Sequence, residues 1–192
     1  METNSEADLR TVTAGRHYVI TVDGSCLGNP GAGGWGIVKQ LKQGGKVLRQ
    51  AAYAAHSEEL STTNNRMELT AAAIAAERMM ETDTPAILRT DAAYVMKGMT
   101  EWLPKWKQNG WRTADRGWVL SHDLWERLDA ACDGKTILWE KVKGHSGDTL
   151  NELADMLARN AAGGMYRKRS VKTLHPELFL SGEIARVANN AP

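Results

Sequence analysis

Short, dense apolar runs alternate along this chain with longer stretches whose apolar residues recur at helical spacing. HYVITVD is brief and rich in β-branched residues, the pattern of a buried strand, and it ends at Asp23. GWGIVKQL and KVLRQAAY follow, separated by the turn KQGGK, so three antiparallel strands open the fold. NNRMELTAAAIAAERMM is dominated by alanine and predicts a helix. AILRTD, after Pro85, predicts a fourth strand ending at Asp91, and AYVMKGM a short helix. Pro104 and Gly110 break EWLPKWKQNGWRTADRGW into a helix end and an exposed loop. Ser121 is placed to N-cap HDLWERLDAAC, whose Leu124, Leu128 and Ala131 form an apolar stripe. TILWEKV predicts the fifth strand, KGHSGD a loop, and TLNELADMLARNAA the last helix.

The order β-β-β-α-β-α-α-β-α predicts an α/β fold. Its mixed five-stranded sheet has three antiparallel strands, then α-linked strands, with helices on both faces. One domain over residues 17–162 accounts for this pattern. Residues 1–16 read as a flexible lead-in. Residues 163–192 read as an extension that carries the basic run YRKRSVK and little periodicity.

Composition narrows the picture modestly. The 24 basic and 23 acidic side chains leave a formal net charge of +1, so any nucleic-acid-binding surface must be local. Two cysteines, Cys26 and Cys132, fit reduced thiols in a cytoplasmic protein better than a disulfide framework. The acidic start METNSEADLR is unlike a signal peptide, and no apolar run approaches the ~18–20 residues of a membrane span. No membrane partner is expected.

Gly31, Gly33 and Gly36 spell G-x-G-x-x-G, and Val38 extends it to the glycine-loop pattern of protein kinases. A dinucleotide fold needs a helix directly after these glycines, whereas IVKQLKQGG reads as strand and turn. A kinase needs V-A-I-K, H-R-D and D-F-G, and a Walker loop needs G-K-[ST] after its glycines; the chain has none of them. The glycines are better read as a tight turn with close backbone approach.

Candidate chemistry lies with acids at element ends. Asp23 and Asp91 each terminate an apolar strand, Glu68 sits early in the alanine-rich helix, and Asp155 lies between apolar positions of ELADMLA. Singly each has an ordinary explanation: turn chemistry for the two aspartates, the helix dipole for Glu68, an i,i+4 pair with Arg159 for Asp155. Converging, they would repel one another unless hard divalent cations such as Mg²⁺ sat between them. Spacing alone leaves both readings open.

The pieces VDGSCLGNPGAGGWG, TTNNRMEL, RTDAAYV, EWLPKWKQNGWRTAD, DLWERLDAA and VKGHSGDTLNELADMLAR occur in one order over about Tyr18 to Ala162. Together they resemble ribonuclease H type 1, the bacterial family, whose fold agrees with the strand order above. The resemblance implies an endonuclease that hydrolyses the RNA strand of RNA–DNA hybrids, leaving 3′-hydroxyl and 5′-phosphate ends. It implies two Mg²⁺ ions, with Mn²⁺ a possible substitute, on Asp23, Glu68, Asp91 and Asp155, and a catalytic His145 in the KGHSGD loop. It further implies hybrid contacts from Gly24, Ser25 and Cys26 near RNA 2′-hydroxyls and from Asn29, Asn64 and Asn65 in the minor groove. Thr63 would meet a DNA phosphate, and Trp102 and Trp106 would lie near the DNA strand. A monomer is expected. The other tryptophans, such as Trp125 and Trp139, read as core.

The chain departs from that family in three places. Ala92 and Ala93 stand where Ser-Gln is usual. The basic handle is thinned to Lys105, Lys107, Arg112 and Arg116 against Glu101 and Asp115, with Ser121 in place of a phosphate-contacting asparagine. The extension beyond Ala162 is the third. A thinner handle implies weaker binding with a shallower salt dependence. Two alternatives remain at this point: a related nuclease with another substrate, and a hybrid-binding module without activity.

Overall fold

In the computed structural model, residues 6–79, 83–144, 146–165 and 170–172 are described here. A short helix α1 (Glu6–Ala14) leads into strands β1 (His17–Leu27), β2 (Ala32–Gln43) and β3 (Lys46–His56). Helix α2 (Asn64–Glu77), strand β4 (Ala86–Thr90), helices α3 (Ala93–Lys97), α4 (Leu103–Gln108) and α5 (His122–Cys132), strand β5 (Ile137–Lys141), helix α6 (Thr149–Ala162) and strand β6 (Ser170–Lys172) follow. The sheet order is β5-β4-β1-β2-β3-β6. β1, β2, β3 and β6 pair antiparallel, whereas β1, β4 and β5 pair in parallel. The five expected strands are all present in the mixed arrangement expected of them.

Alternation along β2 divides the core between two faces. Trp35 and Ile37 join Ile20, Val22 and Leu88 beneath α2 and α5, where Leu69, Ala72, Ala76, Trp125 and Leu128 complete the larger core. Val38, with Ala52 and Ala54 of β3, faces the other way and packs on Ala154, Leu157 and Ala161 of α6. On that second face Gly34 and Gly36 present no side chain, and α6 lies directly on the strand. A Cβ on Gly36 would come within 2.3 Å of the Ala154 carbonyl oxygen, and one on Gly34 within 2.3 Å of the Ala162 nitrogen. Gly36 therefore acts by close approach, as expected of the glycine pattern, and Gly34, outside that pattern, does the same.

Three local features depart from expectation. Residues 6–14 are helical although only Val12 is buried there; Glu6 and Asp8 favour the helix N-terminus, and the Thr11 and Thr13 hydroxyls donate back to the Ala7 and Leu9 carbonyls. Pro104 does not end the helix; it stands at the start of α4, directly after a π-helical turn. Helical structure instead runs from α3 through a π-helical turn (Gly98–Trp102) into α4 and stops at Gly110, which has positive φ. The third departure is β6, a sixth strand paired with Ala52–Ala54 of β3. Ser121 does stand at the head of α5, but it caps through its backbone. It is left-handed, and its carbonyl accepts from Leu124 and Trp125.

The π-helical turn meets α5 at Gly98, where a Cβ would lie 1.9 Å from the Trp125 ring. The room left there is filled by an aromatic cluster. Trp125 is fully buried, stands edge-on to Tyr94 at 5.3 Å and touches Trp106 at 5.2 Å, and Trp106 in turn meets Trp102 at 5.4 Å. The Trp125 indole N–H donates to the Tyr94 hydroxyl, which donates to the Leu120 carbonyl. Trp125 and Trp139 are core residues, as expected.

Candidate active site

The parallel pairing of β1 with β4 sets the site. Their register places Thr21 opposite Arg89. The parallel pairing ends there; two residues further on stand Asp23, beyond which β1 continues to Leu27, and Asp91, directly after the end of β4. Ligand sites of open α/β sheets gather at such strand ends. The third acid comes from α2, whose backbone crosses β1 at Gly24. A Cβ on Gly24 would sit 2.2 Å from the Glu68 nitrogen, so the bare glycine is what lets Glu68 reach Asp23. Thr63 N-caps α2 through its hydroxyl, and the Asn29 side-chain oxygen accepts from the Asn64 N–H. These two bonds hold the helix start against the loop after β1. Paired backbone bonds between Gly31 and Thr62 fasten the same junction.

Asp23, Glu68 and Asp91 each offer an oxygen such that all three atoms lie within 4.8 Å of one another. Asp23 is only 6% exposed. Burial pushes its carboxyl up to about 7, and the charges of Asp91 and Asp155 add to that, against hydrogen bonds from Glu68 and the Gly24 N–H. Burial also holds Glu68 well above the usual carboxylate range, reinforced by the charge of Asp23 and their mutual hydrogen bond. Burial and mutual repulsion thus push both carboxyls towards their protonated forms. Glu68 Oε2 is buried without a hydrogen-bond partner among the described residues. An all-oxygen donor set, excess negative charge and an orphaned buried carboxylate oxygen together fit a hard divalent cation.

Asp155 stands apart from this group. It projects from α6, and its Oδ1 accepts from Arg159 Nε at 2.8 Å, one helical turn on. It remains near enough for its charge to be felt at Asp23. Of four acids expected to converge, three do so, and the fourth is held by the i,i+4 pair that its spacing allowed. His145 lies outside the described residues. Its neighbour Gly144 is against the site, since a Cβ there would come 2.8 Å from Asp91 Oδ2.

Two further residues at the site escaped sequence reading. Asn151 of α6 is 2% exposed and donates its Nδ2 to Asp91 Oδ2 at 3.1 Å. Lys141, at the end of β5, donates to the Asp91 carbonyl at 2.6 Å. In sequence Asn151 sits in a first helical turn next to a capping aspartate, where a polar residue is unremarkable.

The expected hybrid-contacting residues fall in three groups. Gly24, Ser25 and Cys26 continue β1 past Asp23 and are partly exposed. β4 pairs with β1 only as far as Thr21, so among the described residues no strand covers that edge of β1 beyond the site. Cys26 donates its thiol to the Thr62 carbonyl. Asn29, Thr63, Asn64 and Asn65 line one depression together with Leu120 and Ser121. Trp102 and Trp106 line a second, with Lys105 and Arg112, while their other edges join the aromatic cluster. Of the four basic residues there, Lys107 is paired with Asp129, and Arg112 stacks on Trp118 at 3.6 Å while donating to the Arg116 carbonyl.

Among known families, the RNase H family model matches residues 15–163. Ribonuclease H of Pectobacterium carotovorum subsp. carotovorum (strain PC1) is 50% identical over 144 residues, which span 75% of this chain and 88% of that protein. Ribonuclease H of Enterobacter sp. (strain 638) is 48% identical over 143 residues, covering 74% and 87% respectively. Among solved structures, LC9-RNase H1, a type 1 RNase H with the type 2 active-site motif, superposes with a TM-score of 0.75. It is 29% identical, over 91% of this chain and 85% of the other.

Proposed function

The chain belongs to the ribonuclease H family, and on that premise we propose that it is an endonuclease cutting the RNA strand of RNA–DNA hybrids at Asp23, Glu68, Asp91 and Asp155, leaving 3′-hydroxyl and 5′-phosphate ends. The observation that carries this reading is the convergence of three carboxylates, from β1, α2 and the end of β4, within 4.8 Å just beyond the parallel pairing of the two strands and largely out of water. Such a cluster is unfavourable by itself and is relieved by cations. Two Mg²⁺ ions, with Mn²⁺ as substitute, are proposed, held by Asp23, Glu68 and Asp91 with Asp155 completing the set. When bound, such ions supply Lewis-acid stabilisation of the phosphate and a more acidic water.

The protein's own part is positioning. Asp23 and Asp91 are fixed by the parallel strand register, and Glu68 by the crossing at Gly24. The uncovered edge of β1 from Gly24 to Cys26 offers backbone groups to an RNA strand, where 2′-hydroxyls distinguish RNA from DNA. The depression lined by Asn29, Thr63, Asn64 and Asn65 offers amides and a hydroxyl to the minor groove and a phosphate. Trp102 and Trp106 offer partly exposed ring edges towards the DNA strand. His145 is proposed to move a proton near the leaving oxygen, a task suited to an imidazole at neutral pH. A monomer in the cytoplasm, without membrane partners, is the proposed setting; no helix among the described residues is long and apolar enough to cross a membrane.

Labelled RNA–DNA, RNA–RNA and DNA–DNA duplexes incubated with Mg²⁺, with and without EDTA, test this directly. Only the RNA of the hybrid should be cut, and only without EDTA. Cleavage of RNA–RNA or DNA–DNA would point to a different nuclease, and no cleavage at all to a binding module.

The occupied cations of the thinned handle carry a second expectation. With Lys107 already paired and Arg112 stacked, hybrid affinity measured in Ca²⁺ should fall only gently with salt. Each phosphate neutralised contributes about 0.9 to the log–log slope. A slope as steep as that of a strongly basic relative would contradict it.

A further inference from the structure

We infer that Asn151 is a positioning residue that holds the Asp91 carboxylate in the conformation a divalent cation requires; the inference rests on Asp91 being a cation ligand, as proposed above. The Asn151 amide donates to Asp91 Oδ2 at 3.1 Å. Its own carbonyl oxygen Oδ1 is buried and has no hydrogen-bond partner among the described residues. A buried carbonyl left unpaired costs about 1–3 kcal/mol, so an apolar residue of similar size would serve the fold better at this position. Among the described residues the one hydrogen bond of this buried side chain is the one to Asp91, which gives the asparagine its reason to be there.

The amide is itself firmly placed. The Asn151 N–H donates to Asp148 Oδ1 at 3.1 Å, and Asp148 caps the start of α6. Arg89 binds the same Asp148 carboxylate at 2.5 Å and Glu140 at 3.2 Å. Arg89 stands on β4 two residues before Asp91. One connected set of bonds therefore ties the head of α6 to the strand that delivers Asp91, and the Asn151 amide closes it onto the carboxylate. On the other side the bare backbone of Gly144 lies close by, where a Cβ would come 2.8 Å from Asp91 Oδ2. Asp91 is thus gripped from α6 and from the loop before it, while its carboxylate stays within reach of Asp23 and Glu68. Ligating carboxylates that are themselves hydrogen-bonded in this way bind metal better, and loss of such a partner typically lowers affinity about 10- to 100-fold.

The test measures Mn²⁺ binding to the full chain without nucleic acid, by the loss of the free-ion paramagnetic signal, for the parent and for Asn151→Ala, Asn151→Leu and Asp91→Asn. Asn151→Leu and Asn151→Ala should weaken Mn²⁺ binding about 10- to 100-fold, and at least the leucine variant should unfold in EDTA no more easily than the parent. Mn²⁺ affinity within about twofold of the parent in whichever of the two variants folds overturns the inference. If Asp91→Asn also leaves Mn²⁺ binding unchanged, the failure belongs to the proposed cation site rather than to Asn151. If Asp91→Asn abolishes binding while both Asn151 variants retain it, the site stands and the positioning role falls.

Discussion

Asp23→Asn should reduce cleavage of the hybrid's RNA strand by about a thousand-fold or more, and at the same time make the metal-free protein harder to unfold above neutral pH. The first effect follows from removing the acid at the centre of the cluster. Loss of a single electrostatic stabiliser of a transition state typically costs about 10²–10³ in rate, and Asp23 joins Glu68 and Asp91 in the cluster and feels the charge of Asp155. The second follows from burial. The Asp23 carboxyl is raised from 3.8 to about 7, so between about pH 4 and 7 the folded protein holds a proton that the unfolded chain has released. Stability from this group is therefore fully present below about pH 4, declines as pH rises, and is gone above about 7. A shift of about three units corresponds to a ceiling on the order of 4 kcal/mol, spread over Asp23 and Glu68, whose carboxyls are raised together. An amide has no charge to desolvate, so Asp23→Asn should gain about 1–3 kcal/mol at pH 8 and almost nothing at pH 4. Unfolding midpoints in EDTA at the two pH values decide the matter, and a midpoint at pH 8 below that of the parent would refute the account. Mg²⁺ should stabilise the parent more at pH 8 than at pH 5.5, because the carboxylates must give up their proton to bind it.

Gly36→Ala should cost about 3 kcal/mol or more, an unusually large penalty for one methyl group. Overpacking a core ordinarily costs about 1–3 kcal/mol because side chains can yield. Here the methyl would meet the Ala154 carbonyl at 2.3 Å and the Ala158 nitrogen at 2.9 Å, both backbone atoms of α6. The helix must lift, and Asn151 and Asp155 ride on it, so activity should fall beyond what the lost stability explains. Gly15→Ala is the control, since nothing lies within 4 Å of that position. Urea unfolding of both variants tests the pair. A cost within about 0.5 kcal/mol for Gly36→Ala would mean that α6 yields easily and is no rigid platform.

The sheet was legible because its strands are short, apolar and bounded by turns, and because Asp23 and Asp91 announce themselves as charges ending apolar runs. The meeting of Glu68 with those two was not legible from spacing. It depends on α2 crossing β1 at Gly24, a contact 44 residues apart in sequence, and only resemblance to a family anticipated it. The i,i+4 spacing of Asp155 and Arg159 was visible from the start, and the pair forms. Helix α1 was missed because a helix that buries one side chain has almost no apolar stripe. Pro104 misled because it stands at the start of α4, directly after a π-helical turn, and does not end the helix. Asn151 gave no signal at all, since an asparagine in a first helical turn normally faces water, and its burial is decided by how α6 lies on glycines of another element.

The aromatic cluster gives the molecule an optical property of its own. Indole rings 5.2–5.4 Å apart and fixed in a chiral arrangement, as in the chain Trp102–Trp106–Trp125, are expected to give a near-ultraviolet circular dichroism signal that reports tertiary packing. That signal is created by α5 lying against α4 and by the bare Gly98 that admits Trp125. Loosening of this one seam dims it while the far-ultraviolet signal of the helices persists. The region nearest the proposed DNA strand thus carries a built-in chromophore, which reports on that region without any label.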